Sequence, residues 1–383
     1  MTTKVSLVKC PSYDMPAVDS SVRRAVELLG GIDKFVKPGM KILLKPNLLS
    51  ARTPDRHVTT HPEIVRAVIR LVKAAGGIPV LGDSPGGAVK GVERVWNETG
   101  MKKIAEEEKI ELINFETSGT LEKKIAHKLI PKVHVSKTPF EVDGIINLPK
   151  LKTHGLLIFT AGVKNFYGIV PGLRKGEYHK QAPYPDDFGH LISEIYLLVK
   201  DKVLFTLVDG VTAMEGNGPS SGELRDMNMI CAGADTMALD VCIMHLLGFK
   251  ASKLGVIKYL TLSHAGENDI SNIEVIGDKP SNFNFTNFKF PPNWYINLAP
   301  KPLIKLLGNL LWMKPEVIPE ICENCLLCVN SCPVKTITKS GGEKPVVQKE
   351  GCISCLCCHE LCPYKAIKLK PSFLMGLLFK KRY

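Results

Sequence analysis

No stretch of this 383-residue chain reaches the ~18 consecutive apolar residues of a membrane span. Val203 to Val208 runs straight into Asp209, and Leu303 to Trp312 is interrupted by Lys305. The N-terminus offers Lys4 and then only Val5 to Val8 before Lys9, too short for the apolar region of a secretory signal. No transmembrane helix is expected, and the expected location is the cytoplasm. Glycine and proline, 32 and 26 residues, are too few for a disordered or collagen-like chain. Aromatics make up only 7%, the basic residues are dispersed, and no helix-turn-helix or RNA-binding signature occurs, which argues against nucleic acid as a partner despite a net charge of +12. No Gly-Lys-Ser/Thr closes a Walker loop, and no Gly-x-Gly-x-x-Gly stands in a strand-to-helix turn.

What is present is the composition of a packed globular protein, 45% hydrophobic and 23% charged, at a length that suggests two or three domains. Up to about residue 280, apolar β-type runs alternate with helical periodicity. The runs are Val5–Val8, Ile42–Leu44, Ile78–Leu81, Glu111–Phe115, Val142–Leu148, Val203–Val208, Met227–Cys231 and Ile273–Ile276. Helices are predicted at Ala17–Leu29, Pro62–Ala75, Val92–Glu108, Phe188–Val199, Thr236–Leu247 and Lys253–Ser263. This alternation predicts an α/β fold with a largely parallel sheet flanked by helices, because nearly continuous apolar strands are those buried on both faces. Thr120–Pro139 reads as a small antiparallel insertion. The predicted organisation is an α/β domain over 1–280, a connector with an amphipathic helix over 281–318, a cysteine module over 319–370 and a tail over 371–383. The tail joins apolar Phe373–Phe379 to Lys380-Lys381-Arg382, a pattern that suits peripheral contact with an anionic membrane face.

Polar sets stand where the strands end, the place where open parallel sheets bind ligands. Lys45-Pro46-Asn47 follows one run, Asp83-Ser84-Pro85-Gly86-Gly87 another, Lys150, Lys152 and His154 a third, and Asp209 a fourth. Glycines that let backbone N–H groups approach an anion, beside lysines that supply charge, suggest an anion or ligand site built from Lys45, Asn47, Lys152, His154, Lys164 and Asn165. His154, Lys164, Asp209 and Glu215 are the catalytic candidates, the last two in or beside a Gly-rich stretch, Glu215-Gly216-Asn217-Gly218-Pro219. Plainer roles compete. Thr60 before Pro62 with Glu63 marks a helix start, His61 reads equally as a capping or packing residue or as a ligand, and Asp235 and Asp240 read as a cap and a solvent or loop contact.

Nine of the twelve cysteines fall between Cys322 and Cys362. In a chain without a secretion signal this points to metal rather than disulfides. Cys322-x₂-Cys325-x₂-Cys328-x₃-Cys332-Pro333 repeats thirty residues later as Cys352-x₂-Cys355-x₂-Cys358-x₃-Cys362-Pro363, and Val334-Lys335-Thr336-Ile337 matches Tyr364-Lys365-Ala366-Ile367. An internal duplication is the simplest origin. Zinc is the competing metal, but a Cys₄ tetrahedron needs neither the third closely spaced cysteine nor the proline. The stretch resembles a bacterial-type two-cluster ferredoxin. That resemblance implies two 4Fe–4S clusters, one on Cys322, Cys325, Cys328 and Cys362 and the other on Cys352, Cys355, Cys358 and Cys332. Cys357 falls out of register and reads as a small buried hydrophobe.

The blocks Lys45-Pro46-Asn47, Thr60-His61-Pro62-Glu63, Gly82-Asp83-Ser84-Pro85-Gly86-Gly87, Pro149-Lys150-Leu151-Lys152-Thr153-His154, Gly162-Val163-Lys164-Asn165 and Glu215-Gly216-Asn217-Gly218-Pro219 together resemble domain of unknown function family 362. Members occur in anaerobes and archaea, often with a ferredoxin module appended, and the family name implies no reaction. The expected function is that of an iron–sulfur oxidoreductase or electron-transfer protein. It would relay single electrons between two clusters and an anionic small-molecule substrate or a redox partner protein at the front crevice. The alternative is a non-catalytic anion-binding or docking protein whose clusters are structural.

Overall fold

The computed structural model describes residues 2–86, 91–172, 174–291, 313–348 and 350–373. The front of the chain contributes strands β1 (Thr3–Lys9), β2 (Lys41–Pro46), β3 (Ile78–Asp83), β4 (Glu111–Asn114), β5 (Thr120–Lys124) and β6 (Lys132–Ser136). It continues with β7 (Gly144–Leu148), β8 (Lys150–His154), β9 (Ile158–Thr160), β10 (Val203–Glu215), β11 (Glu223–Gly233) and β12 (Ile273–Gly277). One sheet runs β12-β1-β11-β10-β7-β2-β3-β4, with β8 pairing β10 and β9 off this path. The contiguous run β10-β7-β2-β3-β4 is parallel throughout, while β11 is antiparallel to both its neighbours. The α/β class with a mostly parallel sheet is thus as the alternation predicts.

Successive residues of each strand serve opposite cores. In β2, Leu43 packs into one buried cluster and Ile42 and Leu44 into the other; in β7, Ile145 is separated in the same way from Ile146 and Leu148. A strand buried on both faces has no polar phase, and this is why these runs read as continuous rather than alternating. Each such side chain contributes about 1.5–3 kcal/mol by leaving water.

Three details depart from the sequence reading. The helix expected over Val92–Glu108 is two, Val92–Glu98 and Met101–Glu107. Gly100 between them takes a left-handed φ of 76°, and the Thr99 hydroxyl turns back to donate to Val95 O at 2.7 Å. Lys150–His154, read only as a polar set following a strand, itself forms β8 and hairpins with β9. Asp209 does not end a strand, because β10 continues through Glu215 and only the residues after it turn. The insertion at β5 and β6 is antiparallel, as expected. Phe285 and Phe288 are buried in the front core. Residue 87 of the Asp83–Gly87 set, the amphipathic stretch Leu298–Met313 up to residue 312, and the tail from residue 374 lie outside the described residues.

The cysteine-rich segment has two small sheets. Strand β13 (Met313–Val317) pairs with β16 (Ile367–Pro371), and β14 (Ile337–Thr338) pairs with β15 (Val346–Val347). Its halves repeat in detail. Short helices Leu327–Ser331 and Cys357–Leu361 each begin after a left-handed leucine, Leu326 at φ 62° and Leu356 at φ 62°.

Candidate functional site

The strand-end lysines are answered from within the protein. Lys45, at the end of β2, places Nζ 2.8 Å from Asp83 Oδ1 at the end of neighbouring β3, and both groups are buried. Asp83 Oδ2 also accepts from Leu48 N at 2.9 Å. Lys150 repeats the device against Asp209 at 2.9 Å, where the carboxylate further accepts from Tyr13 OH at 2.8 Å and His61 N at 2.9 Å. Burial raises Asp209, but Lys150 and these hydrogen bonds outweigh it, so the carboxyl is held below its ordinary range. His61 itself caps helix Pro62–Ala74, its Nδ1 accepting from Glu63 N. Glu215 pairs with Arg225 at 3.0 Å and accepts from Lys289 N.

The glycine N–H groups proposed to cradle an anion are also occupied. Asp240 takes Gly162 N at 2.8 Å and Val163 N at 3.0 Å, and burial pushes its carboxyl up to about 7 in spite of these bonds. Asp235 caps its own helix through Met237 N and Ala238 N. Asn165 is spent on Lys45 O and Asn147 Oδ1, and Asn47 on Asn165 and Lys152. Lys152 is bonded to the neutral acceptors Asn47 Oδ1 and Val58 O, both at 2.6 Å; burial, then Lys164, draws it well below the ordinary lysine range. The ammonium of Lys164 has no hydrogen bond or ion pair among the described residues. Burial lowers its pKa, while Glu360 and Cys357 oppose that shift.

Lys164 faces a cavity of about 290 Å³ between the ends of β2 and β3 and the cysteine-rich segment. Asp83, Tyr167 and His179 line it from the α/β side, and Cys332, Cys357 and Glu360 from the other. Glu360 rides on helix Cys357–Leu361. Burial raises its carboxyl to about 7 against Lys164 and Lys152. Its Oε1 lies 3.1 Å from His154 Nε2 without hydrogen-bond alignment. His154 Nδ1 accepts from Leu156 N and Leu157 N, both at 3.1 Å, so the proton of the neutral ring sits on Nε2, toward Glu360. His179, 5% exposed, stacks on Phe188, and its Nδ1 is buried without a partner among the described residues. Burial, then Lys164, lowers His179 to about 3, so the ring is neutral near pH 7.

The cysteine-rich segment is pinned over this cavity by backbone contacts. Arg52 donates to Cys362 O at 2.6 Å and to Pro363 O, and Ser220 Oγ donates to Glu360 O at 2.5 Å. His179, Glu360 and Arg52 escaped the sequence reading. Glu360 carried a signal, as an acid set between two cysteines of a ligand repeat; His179 and Arg52 carried none.

The eight repeat cysteines separate into two quartets. Cys322, Cys325, Cys328 and Cys362 surround one small, mostly apolar cavity; Cys332, Cys352, Cys355 and Cys358 surround another. Thr336 N donates to Cys332 Sγ at 3.3 Å and Ala366 N to Cys362 Sγ at 3.2 Å, the same bond in each half. Among the described residues no group of three or more His, Cys, Asp or Glu is arranged to hold a single metal ion. Thiolates bound to one zinc at about 2.3 Å must approach one another closely, whereas four thiols ringing an apolar cavity are compatible with iron–sulfur binding. Cys357 belongs to neither quartet; it is buried and lines the larger cavity.

The model of the family described as Domain of unknown function (DUF362) matches residues 42–245. The chain belongs to the DUF362 family. The match covers the Lys–Asp pairs, the Gly162 loop, Lys164 and His179, and stops before the cysteine repeat. A "Thylakoid-associated protein" of Synechocystis sp. is 38% identical to the DUF362 chain over 251 residues, 64% of this chain and 75% of that protein. Two solved structures align more loosely. One, a structural-genomics protein from Thermotoga maritima, has a TM-score of 0.38 at 16% identity over 54% of this chain. The other, the lactate racemase apoprotein from Thermoanaerobacterium thermosaccharolyticum, has a TM-score of 0.40 at 13% identity over 64% of this chain. The DUF362 chain spans 53% and 57% of those two proteins' lengths. Among the described residues no helix is long and apolar enough to cross a membrane.

Proposed function

We propose that the chain is an iron–sulfur electron-transfer protein of the two-cluster ferredoxin type, whose electrons are exchanged with a ligand in the cavity between the α/β part and the cysteine-rich segment. In this reading Cys322, Cys325, Cys328 and Cys362 hold one 4Fe–4S cluster and Cys332, Cys352, Cys355 and Cys358 the other. Such clusters supply single electrons when bound. The observation that carries the reading is the position of Cys332, which belongs to the second quartet and also lines the cavity that Lys164 faces.

The chain's own residues supply the rest. Arg52 and Ser220 fix the cysteine-rich segment against the sheet, so the cavity wall is held from both sides. The Lys45–Asp83 pair braces the strand ends that form its floor. Lys164 supplies a cation that no group among the described residues neutralises by contact.

Anaerobically prepared protein should carry ~8 iron atoms per chain. Reduced and mixed with small-molecule acceptors in the absence of any second protein, it should reoxidise at a rate that depends on Lys164. Tetrahedral zinc without iron after anaerobic reconstitution would end the cluster assignment. Reoxidation only by a second protein, at a rate indifferent to Lys164, would move electron exit away from the cavity.

A further inference from the structure

We propose that Arg52 sets the reduction potential of the cluster on Cys322, Cys325, Cys328 and Cys362, holding it above the value that the cysteine repeat alone would give. This rests on the reading of the two quartets as cluster sites, and adds a residue of the α/β part that biases where an electron resides between them.

The repeat supplies an internal reference. Each half starts its short helix after a left-handed leucine, and each gives its last cysteine sulfur one backbone hydrogen bond, Thr336 N to Cys332 Sγ at 3.3 Å and Ala366 N to Cys362 Sγ at 3.2 Å. Hydrogen bonds to sulfur, nearby charge and solvent exposure tune such a cluster. The first of these is matched between the halves, which leaves what the rest of the chain brings to each.

Arg52 is brought to one quartet alone. Its guanidinium donates to Cys362 O at 2.6 Å and to Pro363 O, whereas among the described residues no side chain donates to the carbonyls of Cys332 or Pro333, the matching pair in the other half. Arg52 is 7% exposed, no carboxylate pairs with it among the described residues, and an arginine keeps its charge in a protein. It interacts electrostatically with the Cys362 and Cys325 thiols, both members of this quartet. An electron added to the cluster brings negative charge toward a buried, uncompensated cation, where little water screens the attraction. The reduced state is favoured accordingly.

The other charges near the two quartets are exposed or stand on the cavity side. Arg56 and Lys365 lie close to Arg52 and are exposed, as are Glu323 beside the small cavity of this quartet and Lys344, which donates to Cys322 O. Lys314 acts on Cys352, and Lys164, Lys335 and Glu360 line the larger cavity with Cys332. Substitution at Arg52 leaves all of these in place. No cysteine of the Arg52 quartet lines the larger cavity, so the charge of Arg52 biases an electron away from the ligand and toward the far cluster.

The test uses the full chain with both clusters in place, titrated potentiometrically under argon and read by electron paramagnetic resonance, so that no turnover enters. The parent should show two one-electron steps and ~8 iron atoms per chain. Arg52→Gln removes the charge and keeps an amide donor. It should shift one step at least ~10-fold against the reduced form, ~59 mV lower for one electron, and leave the other within ~2-fold, ~18 mV. Arg52→Lys keeps the charge but not the fork to two carbonyls, and both of its steps should stay within ~2-fold of the parent. Ser220→Ala removes the other contact to the cysteine-rich segment without changing charge, and it should leave both steps in place as well. In Cys355→Ser, which keeps only the cluster on Cys322, Cys325, Cys328 and Cys362, the surviving step should be the one that Arg52→Gln moves. Arg52→Met repeats the neutralisation with a side chain of similar reach, so the proposal stays open to refutation if Arg52→Gln loads iron poorly. Two steps unmoved by neutralising Arg52, or both moved equally, overturn the proposal and leave the cluster reading standing. Arg52→Lys or Ser220→Ala shifting a step as far as Arg52→Gln also overturns it, because loosening of the segment rather than charge would then be the cause. Tetrahedral zinc in place of iron would remove the cluster reading and this inference together.

Discussion

Replacing Asp209 by asparagine tests whether the buried Lys–Asp pairs are structural members or parts of the reacting site. Asp209 was a catalytic candidate, yet it lies wholly buried with its oxygens engaged by Lys150, Tyr13 and His61. Asparagine keeps the shape and removes the charge, leaving Lys150 as a buried ammonium without its counter-ion. Breaking a buried pair in this way costs ~3–5 kcal/mol, most of it the stranded charge. At roughly 2 °C per kcal/mol for a domain of this size, the front of the chain should melt ~6–10 °C lower. The pH dependence has a definite sign. Asp209 is depressed below 3.8, so its contribution is fully present above that value and is lost as pH falls through the lower, folded value. The gap between parent and Asp209→Asn should therefore narrow in acid, below about pH 4, and narrow again as pH rises, because burial lowers Lys150 and without Asp209 to oppose it the stranded ammonium sheds its proton. Circular dichroism melts at several pH values, with cluster absorbance followed in parallel, would show this. Iron content and electron delivery by the folded variant should match the parent at a temperature where both are native. A loss under ~1 kcal/mol, or a loss of electron delivery without a loss of stability, would refute the structural assignment. The double variant Lys150→Met, Asp209→Leu should recover much of the deficit.

Further outcomes follow from the same contacts. Gly168→Ala should destabilise the front of the chain by several kcal/mol, about what loss of a buried ion pair costs; an added Cβ would sit 2.1 Å from Asp83 Oδ1 and 2.5 Å from Lys45 Nζ, and thermal melts would report it. Cys355→Ser should lose about half of the iron, whereas Cys357→Ser should keep all ~8 atoms, as read by iron assay and absorbance. Arg52→Ala should retain iron but loosen the cysteine-rich segment, seen as faster proteolysis between the sheet and that segment and slower electron delivery to small acceptors. Asp240→Asn should cost ~1–3 kcal/mol by denaturant unfolding, since an amide oxygen cannot serve both Gly162 N and Val163 N as the carboxylate does.

The elements were legible in the sequence because burial on both faces writes itself as a continuous apolar run, and Ile42–Leu44 and Val203–Val208 are such runs. The cysteine repeat was legible for a different reason: its spacing is local, Cys322 to Cys332 falling within eleven residues, although each quartet is completed from the other half. Partnership across the sheet is not local. Lys45 and Asp83 are 38 positions apart, Lys150 and Asp209 59, and nothing in either segment says that the other will arrive beside it. Lysines that look like a ligand site along the chain are in part the counter-ions of aspartates on the next strand. Lys152 and His154 were misplaced because a short polar strand such as β8 has no apolar period to announce it, although burial of all five residues makes it a strand of the interior. His179 sits in Arg174–Gln181, a helix too polar to be predicted.

The two halves of the cysteine repeat do not own their sites. Each quartet takes three thiols from one half and its fourth from the other, Cys362 crossing to the first and Cys332 to the second. A nascent chain that has emerged only as far as Cys332 can therefore close neither: the second quartet waits for Cys358 and the first for Cys362. That same Cys362 presents its carbonyl to Arg52. The final thiol to be synthesised thus completes one quartet and latches the segment to a residue made more than three hundred positions earlier. If the first quartet holds a cluster as proposed, its loss should be felt at this latch, as a looser attachment of the cysteine-rich segment to Arg52.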